Sequence, residues 1–78
     1  MVNATNMQRE IVSKALVVNG EALDADVETL ADLIGHLGYG EQRVATAVNG
    51  SFVAGGARNA YQLQDGDQVE VVAPRQGG

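Results

Sequence analysis

Residues 15–25 read ALVVNGEALDA, a pattern that predicts a tight β-hairpin. An apolar run ends at Val18, Asn19-Gly20 follows it, and a segment of mixed polarity continues to Ala25. Asn-Gly is typical of the two-residue type I′ turn, because both central positions need a positive φ and these residues tolerate it best. We therefore expect two strands joined by a reversal at Asn19-Gly20.

The next segment predicts a helix that begins after Thr29. Thr29 is a favourable N-cap residue, and Asp32 is placed to return a hydrogen bond to the backbone of the cap. Gly38 is a common helix-ending residue. Gly35 costs about 1 kcal/mol relative to alanine inside a helix, and close packing is the only reason that we expect for it. Four apolar residues share one face at helical spacing: Leu30, Leu33, Ile34 and Leu37.

A second hairpin and a final strand follow the helix. Residues 44–48 (VATAV) predict a strand, Asn49-Gly50 a second type I′ turn, and residues 51–53 a short returning strand. We expect an irregular crossing over residues 55–61 and a last strand over residues 69–73.

This element order predicts an α+β domain over residues 13–73, with one main helix packed across a mixed β-sheet in the β-grasp pattern. Residues 1–12 are polar and aperiodic at their start, and we expect a flexible N-terminal extension there. Pro74 has no N–H to donate and should release the chain from the sheet. Residues 74–78 are then a flexible tail, and its terminal Gly77-Gly78 offers a carboxylate on a thin, adaptable peptide.

Composition narrows the classes of function. The 78 residues suit one small domain, and the absence of cysteine excludes disulfides, thiolate nucleophiles and cysteine metal sites. The formal net charge of -5 disfavours nucleic acid and anionic membrane surfaces as partners. No segment resembles a signal peptide or a membrane span, so we expect a cytoplasmic protein.

Several motifs together resemble the ThiS family of thiamine-biosynthesis sulfur carriers, within the ubiquitin-like β-grasp superfamily. The resemblance runs from about residue 14 to the end of the chain. The chain departs from the usual pattern in its longer N-terminal extension and in Thr46, where an aliphatic residue is commoner. The matching stretches are residues 18–21 (VNGE), 29–34 (TLADLI), 44–50 (VATAVNG), 63–72 (LQDGDQVEVV) and the terminal Gly77-Gly78.

The resemblance implies a protein co-substrate, not an enzyme. An E1-like adenylyltransferase would use ATP and magnesium to adenylate the Gly78 carboxylate, and a persulfide donor would supply the sulfur of a thiocarboxylate. Thiazole synthase would then accept that sulfur, while Gly77 gives the tail access to the partner's active site. The resemblance implies no metal or cofactor held by this chain.

Four further residues are candidate partner contacts. Arg75 can pair with carboxylates or phosphates of the activating enzyme, and Gln76 lies beside it in the tail. Phe52 and Val72 are candidates for an apolar docking patch on the sheet, although core packing is the default use of such residues.

Other polar residues have ordinary structural explanations. His36 lies off the apolar helix face and is expected to be a solvated surface histidine. Asp65 and Asp67 flank Gly66, so we interpret them as turn-forming residues that bond to local N–H groups rather than as an acid/base pair.

Three alternatives stay open at the level of sequence. The small subunit of molybdopterin synthase also ends in Gly-Gly, but its last strand typically leads into a stretch with an aromatic residue and two prolines. Residues 71–76 of this chain contain a single proline, Pro74, and no aromatic residue. A ubiquitin-like modifier is the second alternative, weakened for self-conjugation because Lys14 is the only lysine. The third is a non-covalent β-grasp interaction module.

Overall fold

The computed structural model describes residues 13–40 and 42–74 of the chain. The predicted extension over residues 1–12 and the last four residues of the predicted tail lie outside the described residues. In chain order the described elements are β1 (Lys14–Val18), β2 (Glu21–Ala25), α1 (Leu30–His36), β3 (Ala45–Val48), β4 (Ser51–Val53), a 3₁₀ helix (Gly55–Ala60) and β5 (Gln68–Val72).

The described strands form one five-stranded mixed sheet in the order β2-β1-β5-β3-β4. Strand β5 lies in the centre, parallel to β1 and antiparallel to β3. The two outer pairs, β1 with β2 and β3 with β4, are antiparallel hairpins. Together with α1 this is the β-grasp arrangement that the sequence predicted.

Both Asn-Gly turns have the backbone that the sequence predicted. The φ angles are 50° at Asn19 and 85° at Gly20, and 52° at Asn49 and 86° at Gly50. Asparagine is one of the few side-chain-bearing residues that accept this left-handed region, and glycine accepts it without cost. The register follows from the turns, because Val18 pairs directly with Glu21 in the first hairpin.

The N-terminus of α1 carries the predicted capping box. The Asp32 N–H donates to Thr29 Oγ1 over 3.1 Å, and the Thr29 N–H donates to Asp32 Oδ2 over 3.2 Å. At the other end Gly38 has a φ of 87°, and its N–H donates to the Gly35 carbonyl over 3.1 Å. Both predicted ends of the helix are therefore confirmed.

The apolar face of α1 covers the inner face of the sheet. Leu30 and Leu33 are fully buried and Ile34 is buried, whereas Leu37 is only partly covered. Each fully buried side chain of this size contributes about 1.5–3 kcal/mol of hydrophobic stabilisation. The sheet residues of the same core include Leu16, Val48, Val53, Val69 and Val71.

The crossing after β4 is more regular than predicted, because Arg58 ties it to the sheet. Gly55–Ala60 forms a 3₁₀ helix, from which Arg58 Nη2 donates to the Val44 carbonyl over 2.6 Å and Arg58 Nε donates to Thr46 Oγ1 over 3.0 Å. The Thr46 hydroxyl donates in turn to the Val53 carbonyl over 2.7 Å. Thr46 is only 1% exposed, so these bonds satisfy a polar group that would be costly to bury unpaired.

The expected packing reason for Gly35 is wrong. A Cβ built at Gly35 meets nothing within 4 Å, and nothing in the structure explains the glycine. Gly35→Ala should therefore raise the free energy of unfolding by about 0.4–1 kcal/mol, because alanine restricts the unfolded chain and favours the helix. Urea denaturation measures this change.

Gly38→Ala, just beyond the C-terminus of the same helix, is the control. Its φ of 87° is strained for alanine, so this variant should be destabilised although its Cβ also meets nothing within 4 Å. Destabilisation by Gly35→Ala would contradict the conclusion that the site has room for a side chain.

The capping box predicts a dependence of stability on pH. Hydrogen bonds from the Thr29 and Glu28 backbone N–H groups hold the pKa of the Asp32 carboxyl below its ordinary value of 3.8. The stabilisation is fully present above that value and is lost as the pH falls through the lowered pKa. Asp32→Asn should thus be less stable than the unmodified chain at neutral pH, with a gap that narrows in acid.

Chemical denaturation between neutral and acidic pH measures the gap. Asp24→Asn, at an exposed position of β2, removes the same charge and serves as the control for net charge. An equal pH profile for the two variants would show that the capping interaction is not the cause.

Candidate functional site

The predicted reactive tail begins where the described chain ends. Strand β5 ends at Val72, and Ala73 and Pro74 follow it as exposed residues outside the sheet. Gly77, Gly78 and the predicted contacts Arg75 and Gln76 lie outside the described residues. The described part of the site is therefore the platform from which the tail leaves.

Strand β5 is held on both sides by backbone ladders. Val17 and Val18 of β1 pair with Gln68 and Val69, and the pairing with β3 extends along β5 from Val69 to Val72. Val69 and Val71 also point into the core, where both are buried. The strand before the tail is thus fixed by hydrogen bonds and by apolar packing.

Asn19, which follows β1, adds hydrogen bonds to the last part of β5. Its backbone N–H donates to the Val69 carbonyl over 2.9 Å. Its side-chain Oδ1 accepts from the Val71 N–H over 2.8 Å, and Nδ2 donates to the Val71 carbonyl over 3.2 Å. The side-chain amide thereby takes the place of a further strand residue at a point where β1 has already turned away.

Asn49 makes a corresponding contact with the first part of β5. Its backbone N–H donates to the Gln68 carbonyl over 2.7 Å, and its Oδ1 accepts from the Gln68 N–H over 2.9 Å. Its Nδ2 donates to Asp67 Oδ1 over 3.0 Å. The two hairpin turns therefore hold the central strand from opposite sides, one near its start and one near its end.

The sequence did not predict these two contacts. Asparagine at a strand end is a possible signal, because its amide can imitate a peptide group. However, Asn19 lies 52 residues from Val71 and Asn49 lies 19 residues from Gln68, so only the fold brings the partners together.

The acidic turn before β5 is structural. Asp67 Oδ2 accepts from the Gln64 N–H over 2.9 Å, which confirms the predicted local bond. Asp65 instead reaches β1, where its Oδ1 accepts from the Ala15 N–H over 2.9 Å. Gly66, with a φ of 89°, donates to the Ala15 carbonyl over 2.7 Å. The hydrogen bonds of the two carboxylates therefore stabilise the turn that precedes β5.

Ala45, Ala47, Phe52 and Val72 lie on the sheet face opposite α1 and are here called the outer patch. The exposed Glu70, which pairs with Ala47, lies beside them on the same face. Ala47 pairs with Phe52 and Ala45 pairs with Val72, so the four side chains project from one face. Phe52 is 71% exposed and Val72 is 62% exposed, which excludes core packing as their use. Val72 also ends β5, so the outer patch adjoins the exit of the tail.

The described residues include a surface histidine, but no cluster of metal ligands and no helix that could span a membrane. His36 is exposed at the end of α1, as predicted. Within residues 13–40 and 42–74, no group of three His, Cys, Asp or Glu side chains could hold a metal ion. No helix in the described part of the chain is long and apolar enough to span a membrane.

Comparisons with known proteins relate this platform to one family. The sequence model of the ThiS family matches residues 4–78, which includes most of the predicted extension. The crystal structure of a thiamine biosynthesis protein (ThiS) from Geobacter metallireducens is similar with a TM-score of 0.68 and 29% sequence identity. That similarity covers 82% of this chain and 99% of the other. No curated protein sequence matches the chain.

Proposed function

Because this chain belongs to the ThiS family, we propose that it is a sulfur carrier of thiamine biosynthesis whose Gly78 carboxylate is converted to a thiocarboxylate. The observation that carries the proposal is the family match, which extends through the terminal diglycine. The central position of β5 supports it, because the residues just before the tail are fixed on both sides.

A free carboxylate must be activated before it can accept sulfur. Attack on it meets negative charge and offers no good leaving group. When a carboxylate oxygen of Gly78 attacks the α-phosphorus of ATP, pyrophosphate leaves and an acyl-adenylate forms. ATP and magnesium belong to an E1-like adenylyltransferase, which would stabilise the developing phosphoryl charge. This chain is the substrate of that step.

Sulfur transfer then replaces the adenylate. A persulfide sulfur attacks the Gly78 carbonyl carbon, AMP leaves with the bonding electron pair, and an acyl disulfide remains. A thiolate then attacks the donor's sulfur in the acyl disulfide. A new disulfide forms between the thiol and the donor, the original sulfur–sulfur bond breaks, and its electron pair leaves with the Gly78 thiocarboxylate. Thiazole synthase is the proposed acceptor, and its use of the sulfur returns Gly78 to a carboxylate.

The outer patch is the proposed docking surface for the activating enzyme. An exposed phenylalanine near two alanines gives a partner apolar contacts with little side-chain entropy to lose, beside the exposed Glu70 carboxylate. Since Val72 belongs to the patch, a partner bound there would sit next to the emerging tail. Arg75 and Gln76 are proposed as additional contacts within the partner's channel.

The carrier proposal predicts a defined change of mass. Incubation with the cognate activating enzyme, ATP, magnesium, a persulfide donor and a thiol should replace one oxygen of the chain by sulfur. Deletion of Gly78 should abolish this change, because the carboxylate then ends one residue short of the reacting position. Intact-mass spectrometry measures both outcomes, with a reaction lacking ATP as the control.

The stability of the truncated chain separates chemistry from folding. Gly78 follows the last described strand in the sequence, so its deletion should change the free energy of unfolding by no more than about 0.5 kcal/mol. No sulfur gain by the intact chain, with an enzyme shown to be active on another carrier, would refute the proposal.

The docking proposal predicts different effects for one substitution at two sites. Ala45→Lys places a charge in the outer patch, whereas Ala22→Lys places it at an exposed position of β2, at the far edge of the described sheet. Ala45→Lys should weaken binding to the activating enzyme by tenfold or more, on the order of a hot-spot loss. Ala22→Lys should leave binding nearly unchanged.

Phe52→Ala provides an independent check of the same surface. At 71% exposure, Phe52 contributes little to folding, so its truncation should weaken binding without lowering the melting temperature appreciably. Calorimetric titration measures the affinities. Equal affinities for Ala45→Lys and Ala22→Lys would place the docking surface elsewhere.

A further inference from the structure

We propose that Asn19 is a positioning residue for the carrier reaction, because its side chain fixes the direction in which β5 delivers the tail. This inference rests on the proposed function, since it concerns the efficiency with which the Gly78 carboxylate reaches a partner's active site. It assigns to the first hairpin turn a role beyond chain reversal.

The contacts of Asn19 lie where the other support of β5 is weakest. The residue pairs between β1 and β5 end at Val18 and Val69. Beyond them, this side of β5 is held by the Asn19 N–H on the Val69 carbonyl and by the Asn19 amide on both polar groups of Val71. On the opposite side β3 continues its pairing to Val72.

Loss of the Asn19 side chain would therefore leave the end of β5 supported mainly from one side. Val71 would lose the partners of both its N–H and its carbonyl group, immediately before the strand ends. If β5 can end in a wider range of directions, a smaller fraction of tails is aligned for reaction at any moment. The reaction rate then falls, even though Asn19 is far from the reacting atoms.

Asn49 supplies a matched control within the same fold. It also occupies the first position of a type I′ turn, and its side chain also bonds to β5. Its contacts, however, are with Gln68 and Asp67 at the start of the strand, away from the tail. Asn19→Gly and Asn49→Gly each create a Gly-Gly turn, which keeps the required positive φ and removes only the side chain.

The kinetic test compares these two variants in adenylation by the cognate activating enzyme, measured as release of pyrophosphate. Asn19→Gly should lower kcat by about tenfold and change the KM for the carrier less than about twofold, because the outer patch remains available. Asn49→Gly should keep kcat within about twofold of the unmodified chain. Unfolding in urea shows whether the two variants lose comparable stability.

A second readout does not depend on activity. In Asn19→Gly the Val71 amide hydrogen should exchange with solvent about tenfold faster, as expected for loss of its acceptor, whereas the Gln68 amide should be little affected. Asn49→Gly should show the reverse pattern. Nuclear magnetic resonance resolves the two amides in one experiment.

The outcomes distinguish this inference from the proposed function. If the unmodified chain is not adenylated, the carrier proposal fails first, and the exchange pattern still tests the contact. If it is adenylated and both glycine variants have the same kcat, the positioning role is overturned. If Asn19→Gly does not fold, Asn19→Asp replaces it in the test. The aspartate keeps an acceptor for the Val71 N–H but loses the donor to the Val71 carbonyl. A kcat for Asn19→Asp equal to that of the unmodified chain would then overturn the role.

Discussion

The pairing of β5 with β1 on one side and with β3 on the other is the constraint on which the rest of the structure depends. Each of the two hairpins forms from neighbouring residues, but β5 alone joins them into one described sheet. The same strand carries Val69 and Val71 into the core beneath α1. The position of β5 in the sheet therefore determines how the two hairpins align with each other and where the core lies. It also determines the point from which the tail leaves.

The two faces of the sheet serve different purposes. The inner face is covered by α1, whose capping box and left-handed glycine set its ends, and it supplies the hydrophobic stabilisation of a small domain. The outer face keeps Phe52 and Val72 exposed around two alanines. Binding of a partner to the outer patch, as proposed, would leave the core undisturbed, because the patch lies on the face of the sheet opposite α1.

The parts of the fold that depend on local chemistry could be predicted from the sequence. Positive φ at Asn19-Gly20 and the Thr29 cap follow from residue type, so the hairpin and the helix start were predictable. Long-range contacts could not be predicted in this way. The amide of Asn19 meets Val71 only after the sheet has formed, and the regularity of the crossing depends on Arg58 reaching Thr46. The role proposed for Gly78 rests on the family resemblance, because a carboxylate at the end of a diglycine does not by itself specify a reaction.

The most direct test of the account is complementation in a thiazole-requiring host that also expresses the cognate activating enzyme and thiazole synthase. The sulfur-carrier proposal predicts growth without added thiazole when the full chain is present and no growth with a chain that lacks Gly78. It also predicts no rescue of a molybdopterin-deficient host supplied with the corresponding enzymes. Rescue of the molybdopterin-deficient host alone, or growth of the thiazole-requiring host without Gly78, would contradict it.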